Sequence, residues 1–379
     1  MWIFICHHES EGRCKMTTVF ASRLRFLLPL LFFLALISPI CAIKWSAATA
    51  NYNAGAFIFC IFMFVLLPTI DYFLGRGPAI LEDGPDRHPS INMYYSCLML
   101  LSVPAVIGLS VFGAHFLSVS RELNWAGQAG WIVSLGMCVA TLALCPGHEL
   151  LHQGTRFERF VGGFLLAFVL NGFFNTEHIR GHHVHAATPS DIATARFNQS
   201  VYRFIGDALP RSFSNAWSLE KARMERRGAS VWSLRNEMIG WHLLGLMFAI
   251  IYFAVFGFPG LLFYLGQGVV ALTAHQIINY IQHYGLKRRK LGDGRYERFN
   301  PSHAWNCDFY FSGMLSFQLT RHADHHLNPR RRYQNLQHIP NSPQMPLGYF
   351  GMFLIALIPP LWFRVVNRRL AAYREEQGE

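Results

Sequence analysis

Residues 129–153 read AGWIVSLGMCVATLALCPGHELLHQ, an apolar run that ends abruptly in a pair of histidines. From Ala129 to Cys145 nothing charged intervenes. That length approaches the ~20 residues an α-helix needs to cross a bilayer core. His148 and His152 follow at once, four residues apart, so on a helix they share one face. A membrane span that delivers two imidazoles to the bilayer surface is the unit from which the rest of the chain can be read.

Working outward, five further runs have the same character: Phe26 to Ile43, Gly55 to Leu74, Tyr94 to Phe112, Gly240 to Phe256 and Leu261 to Ile281. These make an all-α integral membrane fold of about six transmembrane helices. Lys15, Arg23 and Arg25 precede the first run, and basic residues near span ends favour the cytoplasm. Six crossings then return the chain to the cytoplasm at Lys287, Arg288, Arg289 and Lys290. The arginine-rich loop from Thr176 to Ile239 stays on that side only if Phe160 to Phe174 does not cross, so that segment is expected to be re-entrant or interfacial. Tyr349 to Val366, broken by Pro359 and Pro360, is expected to lie on the membrane rather than cross it. Reading the first run as a cleaved signal peptide would leave five spans and a less consistent charge bias. Residues 1–22 are expected to be a tail, with Met16 as an alternative start, and residues 23–379 to form a single membrane domain.

Composition agrees. The chain of 379 residues is 52% hydrophobic and 15% charged, against roughly 25% charged in soluble domains. The net charge of +11 is interleaved with the apolar runs, not gathered in a basic domain. It therefore reads as orientation signal and not as nucleic-acid binding. The eight cysteines contain no Cys-x-x-Cys pair, which argues against a disulfide framework and against a fused iron–sulfur or rubredoxin-like carrier.

The histidines carry the functional signal. Of 18, nine fall in four clusters: HELLHQ (His148, His152), EHIRGHH (His178, His182, His183), NYIQHYGL (His283) and LTRHADHH (His322, His325, His326). Each sits at an expected cytoplasmic boundary, where ionisable groups are costly unless functional. Helical i, i+4 spacing should aim His148 with His152, His178 with His182, and His322 with His326 at common points. Adjacent His182 and His183 diverge by about 100° on a helix and should serve different metals. Nine neutral ligands without cysteine fit two irons or coppers better than structural zinc. His275, His115, His242 and His338 are expected in packing. His185 and His303 lie near the clusters but break their spacing.

These clusters resemble those of the integral-membrane alkane 1-monooxygenases, within the wider membrane fatty-acid desaturase and hydroxylase superfamily. EHIRGHHVHAATPSDIATAR with LEKARMERRG, HAWNCDFYFSGMLSFQLTRHADHHLNPRRRYQNL, and LLPTIDYFLG extend the likeness from about Leu66 to Arg364. The resemblance implies that His148, His152, His178, His182, His183, His283, His322, His325 and His326 ligate two non-haem irons, with no catalytic side chain expected beyond them. It implies dioxygen as oxidant, a terminal C–H bond as target, a medium-chain alkane or similar hydrocarbon as substrate, and electrons from rubredoxin and its reductase. It implies the inner membrane, with the metals on the cytoplasmic side. Gln153 stands where the family usually has lysine, Gln282 where it has glutamate, and Ile192 where it has proline. None of these removes a ligand.

Three expectations complete the reading. Glu149, Glu177, Asp191, Asp308 and Asp324 are candidates to receive hydrogen bonds from the ligands' second nitrogens. Arg330, Arg331, Arg332 and the run from Lys287 to Lys290 are candidates to steer an acidic carrier. Phe57, Phe59, Phe62, Phe64, Tyr95 and Trp131 are candidates to close a substrate channel at its far end. A lipid desaturase with the same metals is the competing enzyme, separable by an alkene in place of an alcohol. A metal transporter is the competing reading from another class, and it would place ligands along a path between both faces.

Overall fold

The computed structural model describes residues 33, 35–76 and 89–378. The expected tail, Met16, Lys15, Arg23, Arg25 and most of the first half of the first apolar run lie outside them. The described chain is helical; its β pairing among the described residues is limited to isolated bridges.

Ten helices organise the site: α1 (Ser38–Thr49), α2 (Ile58–Leu74, with a π stretch at Phe62–Leu66), α3 (Pro89–Val119), α4 (Trp125–Leu151), α5 (Arg156–Phe168), α6 (Val201–Arg226), α7 (Glu237–His283), α8 (His322–Leu327), α9 (Tyr349–Ala356) and α10 (Pro359–Gln377). By length and composition α3 from Met93, α4 and α7 can each cross a membrane, and α2 is a shorter apolar helix. These helices mark a membrane protein.

Local chemistry sets the ends. Asn124 caps α4 by accepting from Ala126 and Gly127 N–H, and Asn236 caps α7 from Met238 and Ile239. Thr155 and Glu158 form a reciprocal start to α5: Thr155 Oγ1 accepts from Glu158 N–H and donates to Glu158 Oε2.

Helix α7 has 47 residues, roughly 70 Å if straight, far more than a bilayer of ~30 Å. It is not straight. Gly257 adopts φ 66°, a conformation glycine reaches without Cβ strain, and the chain folds back there. Tyr264 packs on Tyr252 at 4.8 Å with the rings tilted, and donates to the Gly245 carbonyl at 3.2 Å. The two halves, residues 237–256 and 258–283, are the two apolar runs anticipated in this region.

Helix α5 has 13 residues, about 20 Å, too short to span. It descends beside α4, with Gly162 seated against Gly147 and Leu150. The chain then reverses at Leu170, φ 61°, and climbs back through Phe174 to His178. His178 Nε2 ends 2.9 Å from His152 Nε2. Entry and exit thus share one side of the helix bundle. The other broken run, Tyr349 to Val366, divides at its prolines: α9 ends at Ala356 and α10 starts at Pro359.

Candidate metal centre

Four segments meet at the end of α4. His148 lies in the last turn of α4 and His152 caps it. His178, His182 and His183 come from the segment after the re-entrant turn, His283 ends α7, and His322, His325 and His326 lie on α8. All nine imidazoles assemble into two abutting groups that could hold metal ions: His148, His152, His178, His183 and His325 in one, His182, His283, His322 and His326 in the other. The rings of His183 and His326 stack at 4.4 Å across the boundary.

The allocation corrects one expectation. His178 and His182 do not aim at one point, because residues His178–His182 form a π turn in which His183 N–H bonds the His178 carbonyl. A π turn aligns i with i+5 rather than i+4. His178 thus joins His183, and His182 crosses to the second group. The α-helical pairs His148 with His152 and His322 with His326 fall together as their spacing requires.

The geometry fits metal ligation better than hydrogen bonding. Nε2 atoms approach Nε2 atoms: His152 to His178 at 2.9 Å, His183 to His178 at 3.1 Å, His325 to His183 at 3.2 Å, His283 to His322 at 2.9 Å, His326 to His322 at 3.0 Å and His182 to His326 at 3.2 Å. A ring nitrogen with two such neighbours, like Nε2 of His178, cannot pair with both through one proton. Around an ion with nitrogens at ~2.1 Å, adjacent octahedral ligands stand about 3.0 Å apart, which is the spacing observed. Burial, then mutual repulsion of the imidazoles, holds His178, His183, His322, His325 and His326 well below their ordinary pKa and takes His152 to about 3. They are neutral at pH 7, the form that ligates. His182 differs. Burial pushes it down, but the Asp191 carboxylate outweighs this and raises it.

Asp191 accepts from His182 Nδ1 at 3.1 Å, with Thr194 Oγ1 on its other side at 2.6 Å. This places the proton on Nδ1 and leaves Nε2 to face the cluster. Among the described residues it is the one carboxylate bonded to any of the nine. The other four candidates have different work. Glu149 accepts from Gln153 and the Tyr333 N–H, Asp308 from His338 and Asp324 from Arg331 and the Gln337 N–H, while Glu177 lies against Asn215. His338 is therefore hydrogen-bonded to a carboxylate, at 2.6 Å from Asp308 Oδ2, rather than only packed. His185 is exposed, and buried His303 meets Glu297 at 3.3 Å.

Below the histidines an apolar cavity of about 110 Å³ runs into the helix bundle. His148, His178, His182 and His322 form one end; Met63, Phe64, Met137 and Phe353 are among the residues of its walls. Of the six aromatics expected to close a channel, Phe64 alone lines it, stacked on Phe353 at 5.4 Å. Tyr95 packs on Tyr333, Trp131 on Phe116, and Phe57 is exposed. The cavity wall also includes His275, which the sequence reading placed in packing, Gln282, which it noted only as a family departure, and Asn279, which it passed over. Their i, i+4, i+7 spacing was the available signal: they mark one polar face on an apolar helix.

Of the basic residues expected to steer a carrier, Arg331 is bound to Asp324 and Arg332 to Glu158, leaving Arg330, Lys287, Arg289 and Lys290 exposed.

Comparison with known proteins identifies the family. Residues 123–365 match the family described as fatty acid desaturase. Two alkane 1-monooxygenases of Pseudomonas aeruginosa are 41% and 43% identical, each alignment covering 87% of this chain and 88% and 87% of the relative. The chain belongs to the fatty acid desaturase family, among its alkane 1-monooxygenases. Alkane 1-monooxygenase 2 of Alcanivorax borkumensis is 42% identical over 83% of this chain and 82% of its own length. As a member of this family the protein is an oxidoreductase, and its histidine groups lie wholly within the matched region.

Proposed function

We propose that the chain is a non-haem di-iron monooxygenase. It inserts one oxygen atom into the terminal C–H bond of a hydrophobic hydrocarbon, a medium-chain alkane, using electrons from rubredoxin reduced by its reductase. The observation that supports this is the convergence of two histidine groups on one end of an apolar cavity. The reaction balances as hydrocarbon, dioxygen, two electrons and two protons giving alcohol and water.

Two irons, one held by His148, His152, His178, His183 and His325 and the other by His182, His283, His322 and His326, would supply the activation of dioxygen. The rest falls to the chain. An alkane has no polar handle, so its binding comes from the cavity wall at ~0.8 kcal/mol per buried methylene. A cavity that begins at the histidines presents one chain end to them and excludes bulk water. Asp191 fixes the ring of His182 so that the second group keeps its shape. Six crossings in one domain, residues 23–379 after a tail of residues 1–22, would set the metals on the cytoplasmic side of the inner membrane, where a soluble carrier can reach them.

The test is turnover by membranes carrying the chain, supplied with rubredoxin, its reductase and NADH, against an alkane series. A primary alcohol with metal-dependent oxygen uptake is expected. An alkene would make the protein a desaturase, and an absence of metal-dependent oxygen uptake would remove the oxygenase reading.

A further inference from the structure

The cavity carries one hydrogen-bonding group that an alkane cannot use. His275 stands on its wall in the second half of α7 and belongs to neither histidine group. Its Nδ1 lies 2.9 Å from Nδ2 of Asn171, a fully buried side chain. With the amide so oriented, Asn171 donates, Nδ1 accepts, and the neutral ring carries its proton on Nε2. Nε2 has no hydrogen-bond partner among the described residues. Phe174 meets the His275 ring edge-on at 4.2 Å and stacks on His178 at 4.3 Å. His275 is thus separated from the metal-facing histidines by the thickness of one phenyl ring. Asn279, one turn nearer His283, is engaged with Gln276 at 3.4 Å.

His275 is half-buried on the cavity wall, and a donor that faces only methylenes there forgoes a hydrogen bond. A wall needing only to hold methylenes would be better served by leucine at this place. A site built to hydrogen-bond an oxygen also discriminates more sharply than one that only excludes volume.

We infer that His275, oriented by Asn171, is a specificity-determining residue whose Nε2–H donates to an oxygen within the substrate chain. The cavity therefore takes ethers, esters or ketones with a free alkyl end, as well as plain hydrocarbons. This rests on reading the cavity as the substrate site. Because the donor is fixed while the methyl end lies at the histidines, the oxygen is favoured at one distance from the terminal carbon.

The experiment walks an ether oxygen along chains of constant length. For the wild type, kcat/KM relative to the alkane of equal length should peak at one oxygen position, about tenfold above the others, the worth of one good hydrogen bond. His275→Leu should flatten the series, and His275→Gln, which keeps an N–H donor, should restore part of the peak. Binding of the same ethers to purified full-length chain, read as a shift in thermal unfolding midpoint without turnover, should show the same position dependence. If hydroxylation fails altogether, a binding peak abolished in His275→Leu still sustains the His275 assignment while the oxygenase reading falls. A flat series in the wild type, or the same peak in His275→Leu, overturns it.

Discussion

Replacing Phe64 by alanine should lengthen the hydrocarbon the protein accepts. Phe64 lines the cavity and stacks on Phe353, with ring centroids 5.4 Å apart and planes 28° from parallel. A phenylalanine side chain buries on the order of 200 Å². If about half of that faces the cavity, its removal opens contact for roughly three methylenes, each burying ~30 Å² at ~25 cal/mol per Å². Three methylenes contribute ~2.4 kcal/mol, a shift of about 50-fold in relative kcat/KM toward the longer chain. Part of this is offset by packing lost against Phe353, so Phe353→Ala should act in the same direction. The assay is competition among an alkane series, with product alcohols quantified together so that ratios are independent of enzyme amount. Phe57→Ala is the control, because Phe57 lies off the cavity, 40% exposed. An unchanged profile in both Phe64→Ala and Phe353→Ala, or an equal shift in Phe57→Ala, would refute the assignment of this wall as the far end.

Purified protein should contain close to two irons per chain; His182→Ala and His183→Ala, which take ligands from different groups, should each lower metal content toward one and abolish hydroxylation while the protein still inserts. Full metal content in either variant would break the allocation. Asp191→Asn removes the carboxylate from His182 Nδ1 and should weaken iron retention 10–100-fold in a chelator titration, whereas Asp308→Asn, whose partner is His338, should not. The apparent affinity for rubredoxin should fall with ionic strength, because Lys287, Arg289, Lys290 and Arg330 are exposed and their field is screened over ~8 Å at physiological salt; affinity independent of salt would assign them to orientation alone. Stability should fall in acid through Glu220. Burial pushes this carboxyl up, but Arg223, the Glu237 N–H and Arg180 hold it below its usual range. Its contribution is therefore full above the unfolded value near ~4.3 and is lost as pH drops through the lower folded value. An acid unfolding midpoint unchanged in Glu220→Gln would contradict this.

The membrane helices were legible because their signal is composition over a long window, which tolerates local error. The runs from Gly240 to Phe256 and from Leu261 to Ile281 were separable because Phe258, Pro259 and Gly260 interrupt nothing apolar yet the summed length exceeds a bilayer; Gly257, φ 66°, is where the chain obeys that limit. That the segment from Phe160 to Phe174 turns back was legible from the charge of the loop after it, not from its own residues. What the sequence concealed was which face each helix turns inward. Tyr95, Trp131 and Phe57 are as aromatic as Phe64, but only the rotation of α2 against α9 decides that Phe64 reaches the cavity.

The histidine allocation shows the same limit at finer scale. Spacing found all nine side chains that converge, because clusters at helix ends need only be close to meet. It misassigned His178, because an i, i+4 rule presumes α-helical hydrogen bonding and the bond from His183 N–H to the His178 carbonyl is i, i+5. The π turn has a consequence that a regular helix could not provide. In an α-helix His178 and His182 would face one way, and His183 would diverge from both by about 100° or more, stranding a ring on the outer surface. Widening the turn by one residue lets His178 and His183 serve one group while His182, between them, serves the other with Asp191 behind it. A single short segment thereby supplies both groups and ties their positions together. Inserting one alanine after Gly181 would put His183 six residues from His178, out of register for a π turn and an α turn alike, and should disconnect the two rings and leave the first group short of a ligand, while the α8 contribution from His322, His325 and His326 remains. Metal content of the insertion variant equal to that of the wild type would mean that the register of this turn is incidental to the site.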